Sequence, residues 1–279
     1  MLALSPPSYG SAELYDATVA TIHHGKERVR FEVESINVKL ASDAYAIGFA
    51  TNSVVGVGAS SRSLASISDQ EMRRLYTYRL RGSKYDTRDY YDAILLSSND
   101  DVCPYCAERR IGTIDHYLPQ ASYSSLSVSA INLVPCCSDC NRLKNAYEPT
   151  GSDPALLHPY FDSIDSFKWL TVRFESVMSK IPKAIYEVDL SALPVNLRDR
   201  VKVQFELLNL ATLYKSHASQ KLRGLARRLP QVHAKGGVGA VRRHLNEAER
   251  NCSYDWRNAW ERVLYSALVV DEDYCESRC

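Results

Sequence analysis

Two pairs of cysteines, Cys103-Pro-Tyr-Cys106 and Cys137-Ser-Asp-Cys140, constrain this chain more tightly than any other feature of it. A Cys-x2-Cys turn aims two thiolates at one point, and two such turns close a tetrahedron around a structural zinc ion. Four thiolates leave no open position, so a metal held this way fixes the backbone and stays out of the chemistry. The spacer, residues 107–136, is 30 residues long, against roughly 15–20 in simple zinc ribbons. Something is therefore inserted between the knuckles. Cys136 is a spare thiol, but only Cys137 stands at the x2 spacing from Cys140. The competing reading, four ordinary buried cysteines, has to explain two knuckles in one short segment.

The insertion itself has a pattern. Ile111 to His116 reads as a short apolar strand ending in Asp115-His116, with Pro119 stopping its continuation. Asn132-Leu-Val-Pro135 fits a second short strand. Ser138 or Asp139 can cap a helix running through Asn141, Leu143, Lys144 and Asn145. On that helix Cys137 and Cys140 share one side, while Asn141 and Asn145, four apart, share a neighbouring face. One helix can thus anchor the zinc and offer amide oxygens to a second metal beside Asp115 and His116.

The rest of the chain sets outer bounds. Its 279 residues, 45% of them hydrophobic, can bury one large domain or two modest ones. No apolar run is long enough to cross a bilayer, and Met1 to Gly10 lacks a basic-then-apolar leader pattern. Of eight cysteines, the four outside the knuckles (Cys136, Cys252, Cys275, Cys279) form no disulfide framework, so a reduced, cytoplasmic setting is expected. A formal net charge of +1 excludes a uniformly basic nucleic-acid glove, although Arg and Lys gather between Arg198 and Arg243. Apolar residues at helical spacing (Leu14, Val19, Ile22, then Val29, Val33, Ile36, Leu40) predict helices over 11–50. A Ser/Gly-rich stretch from Thr51 to Ser68 reads as a loop or linker. Ser68-Asp69-Gln-Glu71 is a capping-type helix start, and a further helix is expected from Thr87 to Leu96. Leu157 to Asp162 and Trp169 to Val188 read as strand and loop, and the pattern is helical again from Val195 onward.

The segment Cys103 to Asn145 resembles the HNH, or ββα-metal, endonucleases, in the subtype stapled by four zinc-binding cysteines. The letters H, N and N fall on His116, Asn132 and Asn141, the third being Asn where many members have His. The resemblance implies an α+β protein, mostly helical, with a zinc-stapled, treble-clef-like ββα-metal core. It would divide into an N-terminal helical region (1–98), the nuclease core (99–162) and a C-terminal, mainly helical region (163–279). By the same resemblance Asp115 and Asn141 would ligate a catalytic divalent metal, Mg²⁺ or Mn²⁺. His116 would be the general base, and Asn132 would hold the loop that aims it. Asn145 stands where some members carry a further ligand. Cys103, Cys106, Cys137 and Cys140 would hold Zn²⁺. The pieces Asp115-His-Tyr-Leu-Pro-Gln120, Asn132-Leu-Val-Pro-Cys-Cys137, Leu157-His-Pro-Tyr-Phe-Asp162 and Ser216-His-Ala218 resemble a bacterial group of HNH proteins. Some of that group act in anti-phage, Septu-type modules beside a partner ATPase.

That resemblance implies hydrolysis of DNA phosphodiester bonds, with no membrane involved. A neutral imidazole at His116 would take the proton of the attacking water, and a carboxylate with an amide oxygen would suit a hard cation. A different class remains open: a catalytically silent zinc module that binds nucleic acid or a protein. Lys144 reads as a phosphate contact or a solvated side chain. His158 reads as structural or as a phosphate contact. The basic run Lys221, Arg223, Arg227, Arg228, Arg242 and Arg243 can follow a nucleic-acid backbone or simply be a solvated face. The tyrosines at 76, 78, 85, 90 and 91 read mainly as core.

Overall fold

The helical spacing over 11–50 folds as three helices, α1 (Ser11–Ala20), α2 (Lys26–Val33) and α3 (Ser35–Ala50). The computed structural model describes residues 1–50, 63–150, 154–175, 181–252 and 256–277. Two compact units result, Met1–Ser163 and Ile164–Cys279. In α2 and α3 the face that turns inward is Phe31, Val38, Ala41 and Tyr45, while Val29, Val33, Ile36 and Leu40 stay on the surface. Most of the stretch read as a linker, 51–62, lies outside the described residues, and Leu64 and Ile67 near its end are buried.

Ser68 opens α4 (Asp69–Arg74) through a full capping box. Its hydroxyl accepts the Glu71 N–H, and the Glu71 carboxylate accepts the Ser68 N–H at 2.9 Å. From Leu75 to Leu80 the helix widens into a π-turn, closed by Arg81 N–H donating to the Tyr76 carbonyl at 2.8 Å. The chain then doubles back at Gly82, where a Cβ would stand 2.5 Å from the Tyr78 carbonyl oxygen, so only glycine fits without a shift. Helix α5 (Arg88–Leu95) follows and leads into the first knuckle.

Strands β1 (Thr113–His116) and β2 (Leu133–Cys136) pair antiparallel, with Asp115 opposite Val134 and His116 opposite Leu133. Helix α6 (Ser138–Lys144) begins directly after β2. Its N-cap is Cys137, in place of the expected Ser138 or Asp139, because the Cys137 sulfur accepts the Cys140 N–H at 3.3 Å. One buried cluster runs from Leu14 and Tyr15 of α1 through Tyr91 and Ile94 of α5 to Ile114 of β1 and Leu133 of β2. The amino-terminal helices and the two-stranded ribbon therefore share a single core. Leu157 to Asp162 is a turn and not a strand, since the Phe161 and Asp162 amides both return to the His158 carbonyl.

In the second unit β3 (Leu170–Glu175) and β4 (Lys183–Val188) pair antiparallel, with residues 176–180 outside the described set. Four helices follow: α7 (Val195–Leu207), α8 (Leu210–Arg250), α9 (Trp260–Val270) and α10 (Glu272–Ser277). Helix α8 is broken at Gly236 and Gly237, the latter at φ 59°. The Asn258 side chain accepts the amides of Trp169 and Leu170, and Tyr186 donates to the Trp260 carbonyl. Among the described residues the protein is mainly helical, with two small antiparallel sheets. No helix among the described residues is long and apolar enough to cross a membrane.

Candidate metal centre and adjoining cleft

The sulfurs of Cys103, Cys106, Cys137 and Cys140 all lie within 4.8 Å of one another, and all four residues are buried. Zn–S bonds near 2.3 Å in a tetrahedron put sulfurs about 3.8 Å apart, so the set fits a zinc ion. Each knuckle also turns a backbone amide onto sulfur: Arg109 N–H to Cys106 at 3.4 Å and Cys140 N–H to Cys137 at 3.3 Å. Ala107, at φ 53°, supplies the tight return of the first knuckle. Arg109 of the first knuckle meets Asp139 of the second at 3.0 Å, tying them together outside the sulfurs. Hydrogen bonds from the neighbouring sulfurs, Cys103 first, pull the Cys137 thiol far below its ordinary pKa, and the same contacts push Cys140 far above. Four thiols this close cannot all be satisfied by protons, and a dication removes the conflict. Cys136, buried in β2, stands outside the cluster, and burial raises its thiol pKa.

Beside this centre β1 presents Asp115 and His116 to different partners. The Asp115 carboxylate lies 3.0 Å from Lys144 Nζ and accepts the Tyr105 hydroxyl at 2.8 Å. Lys144 also donates to the His116 carbonyl at 2.9 Å. Burial raises the Asp115 pKa, and the Lys144 ammonium opposes that. Lys144 is thus neither solvated nor a free phosphate contact. It sits in the last turn of α6, which packs on β1, so its stem points inward and its charge ends on Asp115.

The His116 ring is held by two opposed bonds. Its Nε2 lies 2.9 Å from the Ser127 carbonyl, which can only accept, so Nε2 carries the proton. Nδ1 then keeps its lone pair and accepts the Gln120 amide at 3.1 Å. The Tyr76 ring stands edge-on to it, with centroids 4.4 Å apart. Burial, with a smaller contribution from Lys144, lowers the His116 pKa to about 4 against the pull of the Ser127 carbonyl, so the ring is neutral at pH 7.

Asn132 is fully buried and clamps the loop between the strands. Its side chain accepts the Leu118 N–H at 2.8 Å and donates to the carbonyls of Leu118 and Leu126. Asn141 sits in α6, and Asn145 ends that helix at φ 47°. A cleft of about 330 Å³ gathers Asp115, His116, Asn141 and Asn145, with Tyr76, Arg81 and Gln120 on its other walls. Asn132 and the four cysteines are not on that surface. Arg81 is exposed, reaches the cleft from the end of the π-turn, and makes no ion pair among the described residues.

Other sequence candidates resolve differently. His158 is fully buried, with Nε2 at 2.9 Å from the Tyr45 hydroxyl and Nδ1 accepting the Tyr160 amide. Phe49, Tyr117 and Phe161 pack around it, so it is structural and no phosphate can reach it. Tyr76 and Tyr91 are core, whereas Tyr78 is exposed. Lys221 pairs with Glu261 at 2.6 Å, and Arg223, Arg227 and Arg228 are exposed along α8. Arg81, Gln120 and Tyr76 were not legible as site residues. Gln120 carries a weak signal, standing four residues after His116, but Arg81 comes from a different part of the chain.

A mainly helical chain with a buried four-cysteine cluster that could hold a zinc ion, beside a histidine-bearing cleft, is the class that these observations define. Protein ea31 of Escherichia phage lambda is 31% identical over 235 residues, covering 76% of this chain and 75% of that one, and the chain belongs to its family. The chain is also similar in part to the Septu protein PtuB of Bacillus thuringiensis, at 25% identity over 91 residues. That match covers 31% of this chain and spans 35% of PtuB. No family model and no solved structure matches.

Proposed function

We propose that this protein is an HNH-type endonuclease that hydrolyses DNA phosphodiester bonds in an anti-phage setting, beside a partner ATPase. The observation that carries the reading is His116: a neutral ring, anchored at Nε2 by Ser127, with the lone pair of Nδ1 on Gln120 and the residue lining a cleft shared with Asp115 and Asn141. Asp115 and Asn141, with Asn145 at the rim, are oxygen donors suited to Mg²⁺ or Mn²⁺. A divalent cation bound there would supply charge to the phosphoryl oxygens.

The chain's own residues do the remainder. His116 Nδ1 exchanges its Gln120 contact for a water molecule and takes a proton as the water oxygen attacks phosphorus. The P–O bond opposite breaks, and the leaving oxygen takes its proton from solvent. Asn132 fixes Leu118 and so the loop whose Ser127 carbonyl sets the tautomer. Lys144 holds the Asp115 carboxylate in one orientation and ties it to the His116 backbone. Arg81 offers a guanidinium to a phosphate oxygen in the same cleft. The four thiolates would hold zinc as a structural staple.

One observation favours a second reading. Asp115 is already neutralised by a buried ammonium, as would suit a zinc module that binds a partner without catalysis. Incubating plasmid, single-stranded DNA and RNA with the protein, with and without Mg²⁺ or Mn²⁺, separates the two. Metal-dependent nicking that His116→Ala abolishes supports the nuclease. Absence of cleavage on every substrate by the parent protein leaves the zinc module.

A further inference from the structure

The turn that brings Tyr76 and Arg81 to the His116 cleft is far more basic than the chain around it. Residues 72–85 hold five cations, Arg73, Arg74, Arg79, Arg81 and Lys84, and no carboxylate, although the whole chain has a formal net charge of +1. Arg79 is used internally, donating to the Thr21 carbonyl at 2.7 Å. Arg73, Arg74, Arg81 and Lys84 are exposed and make no ion pair among the described residues. Residues 51–62 contain no Asp or Glu that could neutralise them. Within this run stands Tyr78, 62% exposed, with no hydrogen bond from its hydroxyl and no ring contact among the described residues. The other aromatic side chain exposed among those residues, Phe161 at 37%, stacks on Phe49.

The fold sets this segment between two clefts. Its π-turn buries Leu75, Tyr76 and Leu80, and such turns are frequent at functional sites. Tyr76 and Arg81 line the His116 cleft. Arg74 and Tyr78 line a second cleft of about 360 Å³, with Tyr85, Glu27 and Glu71 on its walls. The Glu71 carboxylate is already held by Arg30 at 3.0 Å. Counting Glu27 and the neighbouring Asp86 still leaves the exposed face positive.

We propose that residues 73–84 hold an unpaired nucleic-acid strand at the His116 cleft, with Arg73, Arg81 and Lys84 on its phosphates and a base stacked on Tyr78. The proposal rests on the nuclease reading for its substrate and adds which kind of strand the cleft takes. A run of cations without carboxylates selects a polyanion. An exposed ring with no partner of its own selects a π-face, and a base offers one only when it is turned out of a duplex. Arg81 borders the His116 cleft and Tyr78, three residues earlier, borders the next, so one strand can pass between them within a single turn of backbone.

The test is binding of the full-length protein to labelled oligothymidine and oligouridine of about 12 nucleotides, and to a DNA duplex of the same length, by fluorescence anisotropy without added Mg²⁺ or Mn²⁺. The two oligomers distinguish DNA from RNA as the source of the strand. Single strands should bind more tightly than the duplex. Tyr78→Ala should weaken single-strand binding by about fivefold or more, the size of one base stack, with duplex binding and the melting curve as in the parent. Tyr78→Trp should restore the loss. Arg73→Ala with Lys84→Ala should flatten the log–log salt dependence by about 1–1.5. A Tyr78→Ala protein that binds single strands like the parent overturns the proposal, and so does an equal loss on single strand and duplex. An unchanged salt slope in the paired variant overturns the phosphate path, and polyglutamate bound as tightly as oligothymidine would make the face an acidic-protein site instead. A parent that binds as expected but cuts no substrate overturns the nuclease reading and leaves the strand site standing. A parent that nicks plasmid while Tyr78→Ala binds unpaired strands normally overturns the strand site alone.

Discussion

Lys144 Nζ lies 3.0 Å from the Asp115 carboxylate, and each side chain is almost entirely shielded from water. The pair joins the last turn of α6 to β1, so it fixes the helix that carries Cys140 and is capped by Cys137 against the strand that carries His116. Breaking one half of a buried pair costs far more than removing both, because the charge left behind has no partner. Lys144→Met should therefore destabilise the fold by about 3–5 kcal/mol in a denaturant melt. Adding Asp115→Asn should return a large part of that loss. A Lys144→Met protein as stable as its parent would show that the pair contributes nothing to the fold.

The knuckles make a second prediction. Elemental analysis should find about one zinc per chain, and Cys103→Ser or Cys140→Ser should release it. Metal binding at such a site is folding energy, so the loss should also melt the β1–β2 ribbon and the core that it shares with α1 and α5. A Cys136→Ser variant is the contrast. That thiol stands outside the sulfur cluster, so zinc content should be unchanged. Zinc-free parent protein with an unaltered melting curve would remove the metal centre from the account.

How much of this was legible before the fold is clear from particular residues. The knuckles, both short strands, the Ser68 capping box and the split between α7 and the sheet before it follow from local spacing, and local spacing is what a sequence displays. The direction of Lys144 does not. Helical periodicity says which residues share a face, but not that α6 lies on β1, and so spacing alone leaves Lys144 as a phosphate contact or a solvated side chain where the fold makes it half of a buried ion pair. The stripe at Val29, Val33, Ile36 and Leu40 is a similar case, since periodicity identifies an apolar face without saying which of two faces is covered. Arg81 joins the cleft only because a π-turn and Gly82 swing it there, and no spacing rule connects position 81 with 116.

Titration of His116 gives a third prediction. Its folded pKa is about 4, below the ordinary value near 6.5. Between these values the unfolded chain binds a proton that the native ring refuses, so native stability rises with pH across that window. The contribution is fully present above about pH 6.5 and is lost as pH falls towards about 4. It is worth on the order of 3 kcal/mol for a shift of this size. Replacing the ring by Gln, which does not titrate, should flatten the stability profile between about pH 6.5 and 4. An equally steep profile in His116→Gln would assign the acid lability to other groups.

The last prediction separates three roles in the cleft, and it rests on the nuclease reading. His116→Ala removes the proton acceptor, so cleavage should fall by about 10²–10⁴-fold. Additional Mg²⁺ or Mn²⁺ should not restore it. Asp115→Asn keeps the shape and removes the charge, so its activity should recover in part as divalent metal is raised. This variant leaves Lys144 without its carboxylate, and a melt has to establish that the fold survives before the rate is interpreted. Arg81→Ala touches neither the base nor the oxygen donors. It should weaken DNA binding and lower the rate while leaving metal dependence as in the parent, because what it removes is a charge-assisted bond to phosphate. Arg81→Lys should recover binding better than geometry-dependent rate, since a point charge replaces a planar fork. If Arg81→Ala binds and cuts like the parent protein, the guanidinium at the cleft is a solvated side chain with no part in holding phosphate.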